Sequence, residues 1–541
     1  MAYSLSMFKE KIIKELIKYD PKNTWDLISF KREMSQKYKI PVLSNFELLK
    51  AYHKMLQKGI IKKTERVEQV LKIRPVRSLS GIVNVSVLTK PYPCPGQCLY
   101  CPKEPGLPSS YLSGEPAVER AKKLNFDPYW QVKKRLEMLK IAGHSTDKIE
   151  LRIVGGTWSH YPKKYQVWFV KKCFEACNEG NSKIKTQKSK LKFTIQKLKE
   201  EEKKNERAKH RIVGLSIETR PDFINEKEIE WLRELGVTMV ELGVQSIYDD
   251  VLKLNLRGHG VKETILATKL LKDAGFKVLY QMMPNLFGSD LKRDQKMFEE
   301  LFRNSDFQPD YLKIYPCALL KESPLYRLWK KRKYQPYRKE QLINLLLRIK
   351  KKIPYYVRIQ RITRDIPSLK VIKGGAKISN LRQLLAERMK KENWQCKCIR
   401  CREVRESYDP KEKIYLFRQD YLASGGKEIF LTFENKNRTK LFSLLRLRFS
   451  SRNQVASIFP FLKKSTVIRE IHTYGEAVPI SQRKKAIQHR GLGRRLIKEA
   501  EKITKKDFNL RKIAVIAGIG AREYFRSLGY KLKDTYMVKE I

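Results

Sequence analysis

KPYPCPGQCLYCP, residues 90–102, follows an apolar, β-branched run from Ile82 to Leu88 and sets Cys94, Cys98 and Cys101 at Cys-x3-Cys-x2-Cys spacing. Thiolates so spaced can hold three irons of a 4Fe-4S cluster and leave the fourth iron without a protein ligand. Such an open iron can bind and reductively cleave S-adenosylmethionine, giving a 5′-deoxyadenosyl radical; the cofactor brings that chemistry and the protein positions it. The bland readings are a zinc knuckle one ligand short, or scattered core cysteines. Both fit poorly with a tight cluster placed directly after a strand.

From Ile82 to about residue 370, short β-rich runs alternate with amphipathic helical stretches. The runs are Ile82 to Leu88, Ile149 to Val154, Ile212 to Ile217, Val237 to Leu242, Lys277 to Met282 and Tyr311 to Tyr315. That rhythm predicts βα units and a parallel sheet closed into a partial (β/α) barrel, an α/β fold. Active sites gather at the C-terminal ends of such strands. Gly155, Gly156, Glu218, Arg220, Gln245 and Gln281 all fall there and are the candidates for S-adenosylmethionine. Between two of the strands, Ser182 to Arg211 carries 12 Lys/Arg and four Glu with few large apolar side chains, and is predicted to be a mobile surface insertion.

The balance of 115 Lys+Arg against 58 Asp+Glu, net +57, repels itself unless a polyanion neutralises it, and 26 tyrosines offer stacking surfaces beside the charge. A nucleic acid is the expected partner. A lysine-rich proteome accounts for only part of such an excess. Residues 1–75 are predicted to form a basic helical RNA-binding module, with Phe8, Ile12, Ile13, Leu16 and Ile17, then Phe46, Leu48, Leu49 and Met55, at helical spacing. No apolar run reaches the roughly 18 residues that would span a bilayer, and the N-terminus lacks a signal-peptide core, so a cytoplasmic protein is expected, with no membrane partner. Six of nine cysteines fall into two clusters, which reads as reduced thiols and metal ligands rather than disulfides.

The second cluster, Cys396, Cys398 and Cys401, has Cys-x-Cys-x2-Cys spacing that suits a tetrahedral zinc site lacking one ligand. Cys317 or a carboxylate would have to complete it, because none of the seven histidines lies between residues 260 and 471. Free or redox-active thiols stay open as the alternative. The cluster sits in a linker, 371–410, between the barrel region, 76–370, and a smaller α/β unit, 411–541.

In that last unit, strands are predicted near Glu428 to Glu434, Val467 to Thr473 and Lys512 to Ala517, and helices near Gly493 to Ile503 and Ala521 to Leu528. Gln488-His-Arg-Gly491-Leu492-Gly493-Arg494 leads straight into the first helix. Glycines let backbone N–H groups converge on a pyrophosphate and the helix start adds its positive end, so this loop suits coenzyme A. A second strand-to-helix turn, Gly518-Ile519-Gly520, opens towards Tyr524 and Phe525.

This arrangement resembles the GNAT-type N-acetyltransferase fold, in which the strand Arg469-Glu470-Ile471-His472 would pair by backbone with the pantetheine arm and Tyr524 would lie near the thioester sulfur. A radical S-adenosylmethionine domain fused to such a domain is similar to the catalytic subunit family of Elongator, the tRNA uridine acetyltransferases. The likeness covers nearly the whole chain, including Tyr111 to Pro116, Gly143 to Lys148, Gly155 to Thr157, Ile217 to Asp222, Leu242 to Ser246, the Cys396 cluster, Gln488-His489 and Tyr536 to Lys539. The resemblance implies that Lys148 contacts acetyl-CoA, and Lys148 and Tyr524 are the candidate catalytic residues. Phe525 stands where many members carry a second tyrosine, which leaves Tyr524 the only candidate phenol there.

The resemblance also implies a reaction. A carbon radical formed at the acetyl methyl group adds to carbon 5 of the wobble uridine of tRNA, and water then cleaves the thioester to leave a carboxymethyl group. The anticodon stem-loop would be the RNA bound, an electron donor would serve the cluster, and a homodimer or accessory subunits would be further partners. Two other readings compete: a lysine acetyltransferase with a structural iron-sulfur region, for which Glu470 is the candidate base, and an RNA-binding scaffold without catalysis.

Overall fold

The computed structural model describes residues 2–73, 78–179, 194–378, 380–405, 409, 411–475 and 491–541, without the side chains of 2–6 and 376. Helices Ala2–Tyr19, Thr24–Tyr38, Asn45–Gln57 and Glu65–Leu71 make an N-terminal module around its own core of Ile13, Leu16, Phe30, Leu48, Leu49, Tyr52 and Met55. Local chemistry sets its helix starts. The Asn23 side chain accepts from the Trp25 and Asp26 amides, and Ser44 with Glu47 forms a capping box. Ile73 N donates to Ala142 O at 3.2 Å, joining the module to the C-terminal end of helix Pro128–Ile141.

Strands β1 (Val83–Leu88), β2 (Lys148–Val154), β3 (Arg211–Thr219), β4 (Met239–Gln245), β5 (Lys277–Met282), β6 (Tyr311–Ile314), β7 (Ala318–Leu320) and β8 (Arg358–Arg361) come next along the chain. Seven of these build one parallel sheet in the order β1-β2-β3-β4-β5-β6-β8, whose two edges do not meet. It is the half-barrel expected, with one strand, β8, that the sequence reading did not anticipate. Successive side chains on a strand point to opposite faces, so Val240, Leu242 and Val244 go to the helix layer while Glu241 and Gln245 go inward. Strand β7 pairs instead with β9 (Val371–Gly374) in a separate hairpin.

The Ser182 to Arg211 segment corrects one expectation. Residues 180–193 lie outside the described residues, but Ile195–Asn205 is a helix docked on helix Lys163–Asn178. Leu198, Glu202 and Asn205 recur on one face and are buried. Asn205 donates to His210 O and accepts from Ile212 N, so the helix is tied to the start of β3. Lysine richness masked a narrow buried stripe.

The C-terminal sheet has β10 (Tyr415–Ala423), β11 (Gly426–Glu434), β12 (Leu441–Phe449), β13 (Thr466–Thr473), β14 (Lys512–Val515), β15 (Lys531–Lys533) and β16 (Tyr536–Glu540). Its order is β10-β11-β12-β13-β14-β16-β15, antiparallel except for β13 with β14. That parallel pair holds register for only three residues, Thr466 to Ile468, after which β13 runs on to Thr473 beside β12 alone. The sheet therefore splays open along Arg469 to Thr473, next to helix Leu492–Asp507.

A buried ion network joins the two sheets. Arg469 holds Asp310 at 2.8 and 2.6 Å and Glu428 at 2.8 Å, Arg448 holds Asp273 at 2.6 Å and Glu428 at 3.0 Å, and Arg446 holds Glu470 at 2.8 Å. The Tyr311 hydroxyl also donates to Glu470. Close backbone approach adds to the contact: a Cβ on Gly518 would sit 2.1 Å from Val213 O. The cysteine-bearing linker bridges both sides, through Ile399 N to Val357 O and Val404 N to Leu441 O.

Candidate active site

A cavity of about 1290 Å³ runs between the two sheets. Its walls include Tyr100, Cys101, Glu218, Gln245 and Gln281 at one end, where β3, β4 and β5 finish. At the other end stand Lys148, Arg211, Lys277, Ile471, His472, Gly491, Gly493, Arg494 and Tyr524, where β2, β3 and β5 begin. Both Lys148 and Val154, the two termini of β2, line it. At about 3.3 Å per residue the cavity therefore spans about 20 Å. The C-terminal domain faces the opposite end of the half-barrel from the cysteine loop, and one continuous space connects them.

The cysteine loop forms the wall at the first end. Cys101 faces the cavity, Cys98 is buried and Cys94 is exposed. Burial and the neighbouring thiols push Cys101 up to about 12, a cost that metal ligation removes by replacing the proton. Arg257 Nη1 lies 3.5 Å from Cys98 Sγ, a partner the sequence reading missed.

Arg152, Lys313 and Glu218 line the middle of the cavity, with Glu241 buried behind them. Arg152 Nη2 donates to Glu241 at 2.5 Å, and Lys313 reaches both Glu241 and, at 3.2 Å, Glu218. Burial alone would raise the Glu241 carboxyl, but Arg152 and Lys313 outweigh it and hold it at about 2. Glu218 also accepts from Tyr111 Oη at 2.9 Å and Gln281 Nε2 at 3.3 Å. Arg152 and Lys313 escaped the sequence reading although each interrupts an apolar strand run, a pattern that marks a polar barrel interior.

Three of the S-adenosylmethionine candidates, Glu218, Gln245 and Gln281, line the cavity; Gly155, Gly156 and Arg220 do not. Gly155 has φ of 137° and a Cβ there would meet Thr89 Oγ1 at 1.9 Å, so it serves the turn after β2. Arg220 is paired with Asp222 at 2.9 and 2.8 Å behind the cysteine loop.

The candidate catalytic residues, Lys148 and Tyr524, both line the other end. Burial lowers the Lys148 ammonium and raises the Tyr524 phenol, which remains a proton donor at neutral pH. Gly493 packs beneath Tyr524, where a Cβ would lie 3.2 Å from Oη, and Gly491 starts the helix in a left-handed conformation at φ 71°. Arg469 and Glu470 line the cavity, but their side chains are spent on the ion network. Their strand's backbone is what remains available. His472 Nε2 lies 2.6 Å from Ser80 O, and burial keeps the ring below its usual value. Leu492 is buried in its helix, and Gln488 lies outside the described residues.

The Cys396, Cys398 and Cys401 sulfurs lie within 4.8 Å of one another, and among the described residues no further His, Cys, Asp or Glu joins them. Cys317, the fourth ligand considered, belongs to a different apolar cluster with Leu319, Leu325 and Tyr334. Lys350 Nζ stands 3.5 Å from Cys401 Sγ instead.

The sequence profile of the Radical SAM superfamily matches residues 92–301, and that of the Radical_SAM C-terminal domain matches 309–391. A tRNA uridine(34) acetyltransferase of Methanocaldococcus infernus is 44% identical over 98% of this chain and 98% of its own. The chain belongs to the Elongator complex protein 3 family. Elongator complex protein 3 of Bos taurus is 36% identical over 98% of this chain and 96% of its own. The structure of archaeal Methanocaldococcus infernus Elp3 with an N-terminal deletion superposes with a TM-score of 0.72 at 43% identity, covering 86% of this chain and all of that one. For this member of the Elongator complex protein 3 family, the Radical SAM match implies a 4Fe-4S cluster and S-adenosylmethionine, and Cys94, Cys98 and Cys101 lie inside it. The donor set fits: three thiols on one loop, one facing the cavity. No helix among the described residues is long and apolar enough to cross a membrane.

Proposed function

We propose that this chain modifies the wobble uridine of tRNA, using S-adenosylmethionine radical chemistry and acetyl-CoA to place a carboxymethyl group on carbon 5. The observation that carries the reading is the single cavity reaching from Cys101 to Tyr524. Carbon 5 of uracil is a poor nucleophile, so a thioester cannot acylate it usefully, whereas a carbon radical adds to the ring double bond. The adduct restores that bond by giving up the carbon 5 hydrogen as a proton and one electron to an oxidant such as the oxidised cluster. When bound, the cluster and S-adenosylmethionine supply that radical chemistry.

The residues divide the work. Cys94, Cys98 and Cys101 hold the cluster, and Glu218, Gln245 and Gln281 receive S-adenosylmethionine on the cavity wall. Glu218 is fixed in place by Tyr111, Gln281 and Lys313, so it presents a carboxylate already oriented for a cationic group. The Arg469 to Thr473 backbone and the Gly491 to Arg494 turn receive the pantetheine arm and pyrophosphate of acetyl-CoA, with Lys148 beside them. Tyr524 keeps its proton and donates it towards the thioester sulfur when the bond is cleaved. The 20 Å length of the cavity means that an extended arm, entering from the Tyr524 end, must carry the acetyl group towards the cysteine loop. A single continuous space supplies the proximity that a reactive carbon radical requires. The basic surface and the N-terminal helices take up the anticodon stem-loop with the uridine turned out of its stack. Zinc is assigned to Cys396, Cys398 and Cys401, where it would pin the linker and stay outside the chemistry.

The lysine acetyltransferase reading loses its base, because Glu470 is buried, paired with Arg446 and bonded by Tyr311. Anaerobic reconstitution with iron, sulfide, S-adenosylmethionine, acetyl-CoA and tRNA, followed by mass spectrometry of the nucleosides, tests the proposal. A carboxymethylated uridine is expected, and acetylated protein with unmodified tRNA would reject it.

A further inference from the structure

Two guanidiniums stand behind the cysteine loop. Arg220 and Arg257 are 5% and 6% exposed. Arg257 spends Nη2 on Gly243 O at 2.5 Å, directs Nη1 at Cys98 Sγ from 3.5 Å, and has no partner for Nε. Arg220 spends Nε and Nη2 on Asp222, while Nη1 is buried without a partner and faces the loop at Gly96, where a Cβ would meet it at 2.8 Å.

The surrounding backbone is cut to fit these two side chains. A Cβ at Gly243 would lie 2.7 Å from Arg257 Nη2, and one at Gly258, which has φ of +74°, would lie 3.0 Å from Arg220 Nη2. Three glycines thus make room for two arginines. A buried N–H left unpaired costs about 1–3 kcal/mol, so Arg220 Nη1 calls for an acceptor beyond those the protein supplies, while Arg257 Nη1 already points at a sulfur of the loop. The loop in front of them carries the thiols that hold the iron-sulfur cluster, whose sulfurs are anionic acceptors.

We propose that Arg220 and Arg257 are positioning residues that donate N–H groups to cluster sulfur, stabilise the more negative reduced state and raise its reduction potential. This rests on the 4Fe-4S reading of Cys94, Cys98 and Cys101. The step is a one-electron reduction by a low-potential donor, with no bond made or broken; hydrogen bonds to sulfur are among the levers that set such potentials. Guanidinium suits the task because it stays charged and offers donors in a rigid fork.

The test is a potentiometric titration of the full chain, reconstituted with iron and sulfide and kept free of S-adenosylmethionine, followed by cluster absorbance and electron paramagnetic resonance. Arg257→Gln and Arg220→Gln are each expected to make reduction about tenfold less favourable, about 59 mV for one electron. Arg257→Lys and Arg220→Lys, which keep charge but lose the fork, should fall between. Midpoints equal to wild type in glutamine variants with full iron would overturn the assignment. Where a glutamine variant loses its iron, the lysine variant is read in its place. Lysine variants that keep wild-type circular dichroism yet hold no iron would also overturn it, by showing that the arginines only build the loop. If Arg220 instead binds S-adenosylmethionine, as its position after β3 first indicated, Arg220→Gln weakens that binding and leaves the midpoint unmoved. Wild-type protein that takes up no iron and sulfide defeats the cluster reading itself, a separate failure.

Discussion

Replacing Arg469 with methionine is expected to loosen the joint on which the shared cavity depends. The guanidinium makes five hydrogen bonds, two to Asp310, two to Glu428 and one to Phe276 O, and its side chain is wholly buried. Methionine fills much of the volume but leaves two buried carboxylates short of charge. Of its charged partners Asp310 would keep Arg446 at 3.6 Å and Lys272 at 3.9 Å, beside the Val278 amide at 2.9 Å, and Glu428 would keep Arg448 at 3.0 Å and Lys272 at 3.8 Å. Removing one member of a buried ion set costs about 3–5 kcal/mol. That is a large part of a whole-protein stability of about 5–15 kcal/mol. Urea titration read by circular dichroism and tryptophan fluorescence should show a correspondingly lower midpoint. Adding Asp310→Asn and Glu428→Gln to Arg469→Met should restore part of the loss, because the stranded charges go with it. A change below about 1 kcal/mol in the single variant would refute the reasoning, since the network would then not be holding the sheets together.

Three further outcomes are expected from the same structure. Cys98→Ser should abolish the modified uridine yet leave tRNA affinity within a few-fold, because the role proposed for the thiolate is to bind iron and not phosphate; nucleoside mass spectrometry beside a binding titration checks both. Gly518→Ala should destabilise by about 1–3 kcal/mol or more in a thermal melt, because its Cβ would lie 2.1 Å from a backbone oxygen of β3 that has no room to retreat. Burial opposes ionisation of Asp310, Glu428 and Glu470, but the neighbouring guanidiniums outweigh it and hold all three below the usual carboxylate range. With unfolded values of about 3.9 and 4.3, their stabilisation is complete above about pH 5 and is lost as pH falls through the folded values. Urea midpoints should therefore be level from pH 7 to about 5 and then drop, less steeply in Arg469→Met, and a rise on acidification would contradict this.

The half-barrel strands were legible because aliphatic runs such as Val237 to Leu242 stand between helical stretches, and the cysteine loop because its spacing is chemically specific. Strand β8 was not, since Arg358-Ile359-Gln360-Arg361 is short and polar and owes its place to pairing with β6. Strand β12 hid for a related reason: Arg446 and Arg448 interrupt it with charge, and besides the nearer Glu470 and Glu428 the carboxylates that pair with them, Asp310 and Asp273, lie more than 130 residues away in sequence. That Lys148 and Tyr524 share one end of the cavity had no local signal, because only the fold sets the Gly518 turn against the start of β3, where Arg211 lies in register with Lys148. The Arg257 contact with Cys98 had no local signal at all, as it joins residues 159 apart.

In the proposed function acetyl-CoA and the S-adenosylmethionine chemistry meet within one cavity. The most direct measurement uses acetyl-CoA carrying three deuteriums on the acetyl methyl, incubated with reconstituted enzyme, S-adenosylmethionine, reductant and tRNA, with the 5′-deoxyadenosine product weighed by mass spectrometry. The expected product is 5′-deoxyadenosine heavier by one deuterium, with a modified uridine that keeps the other two. Product 5′-deoxyadenosine free of deuterium, formed alongside the same modified uridine, would contradict it.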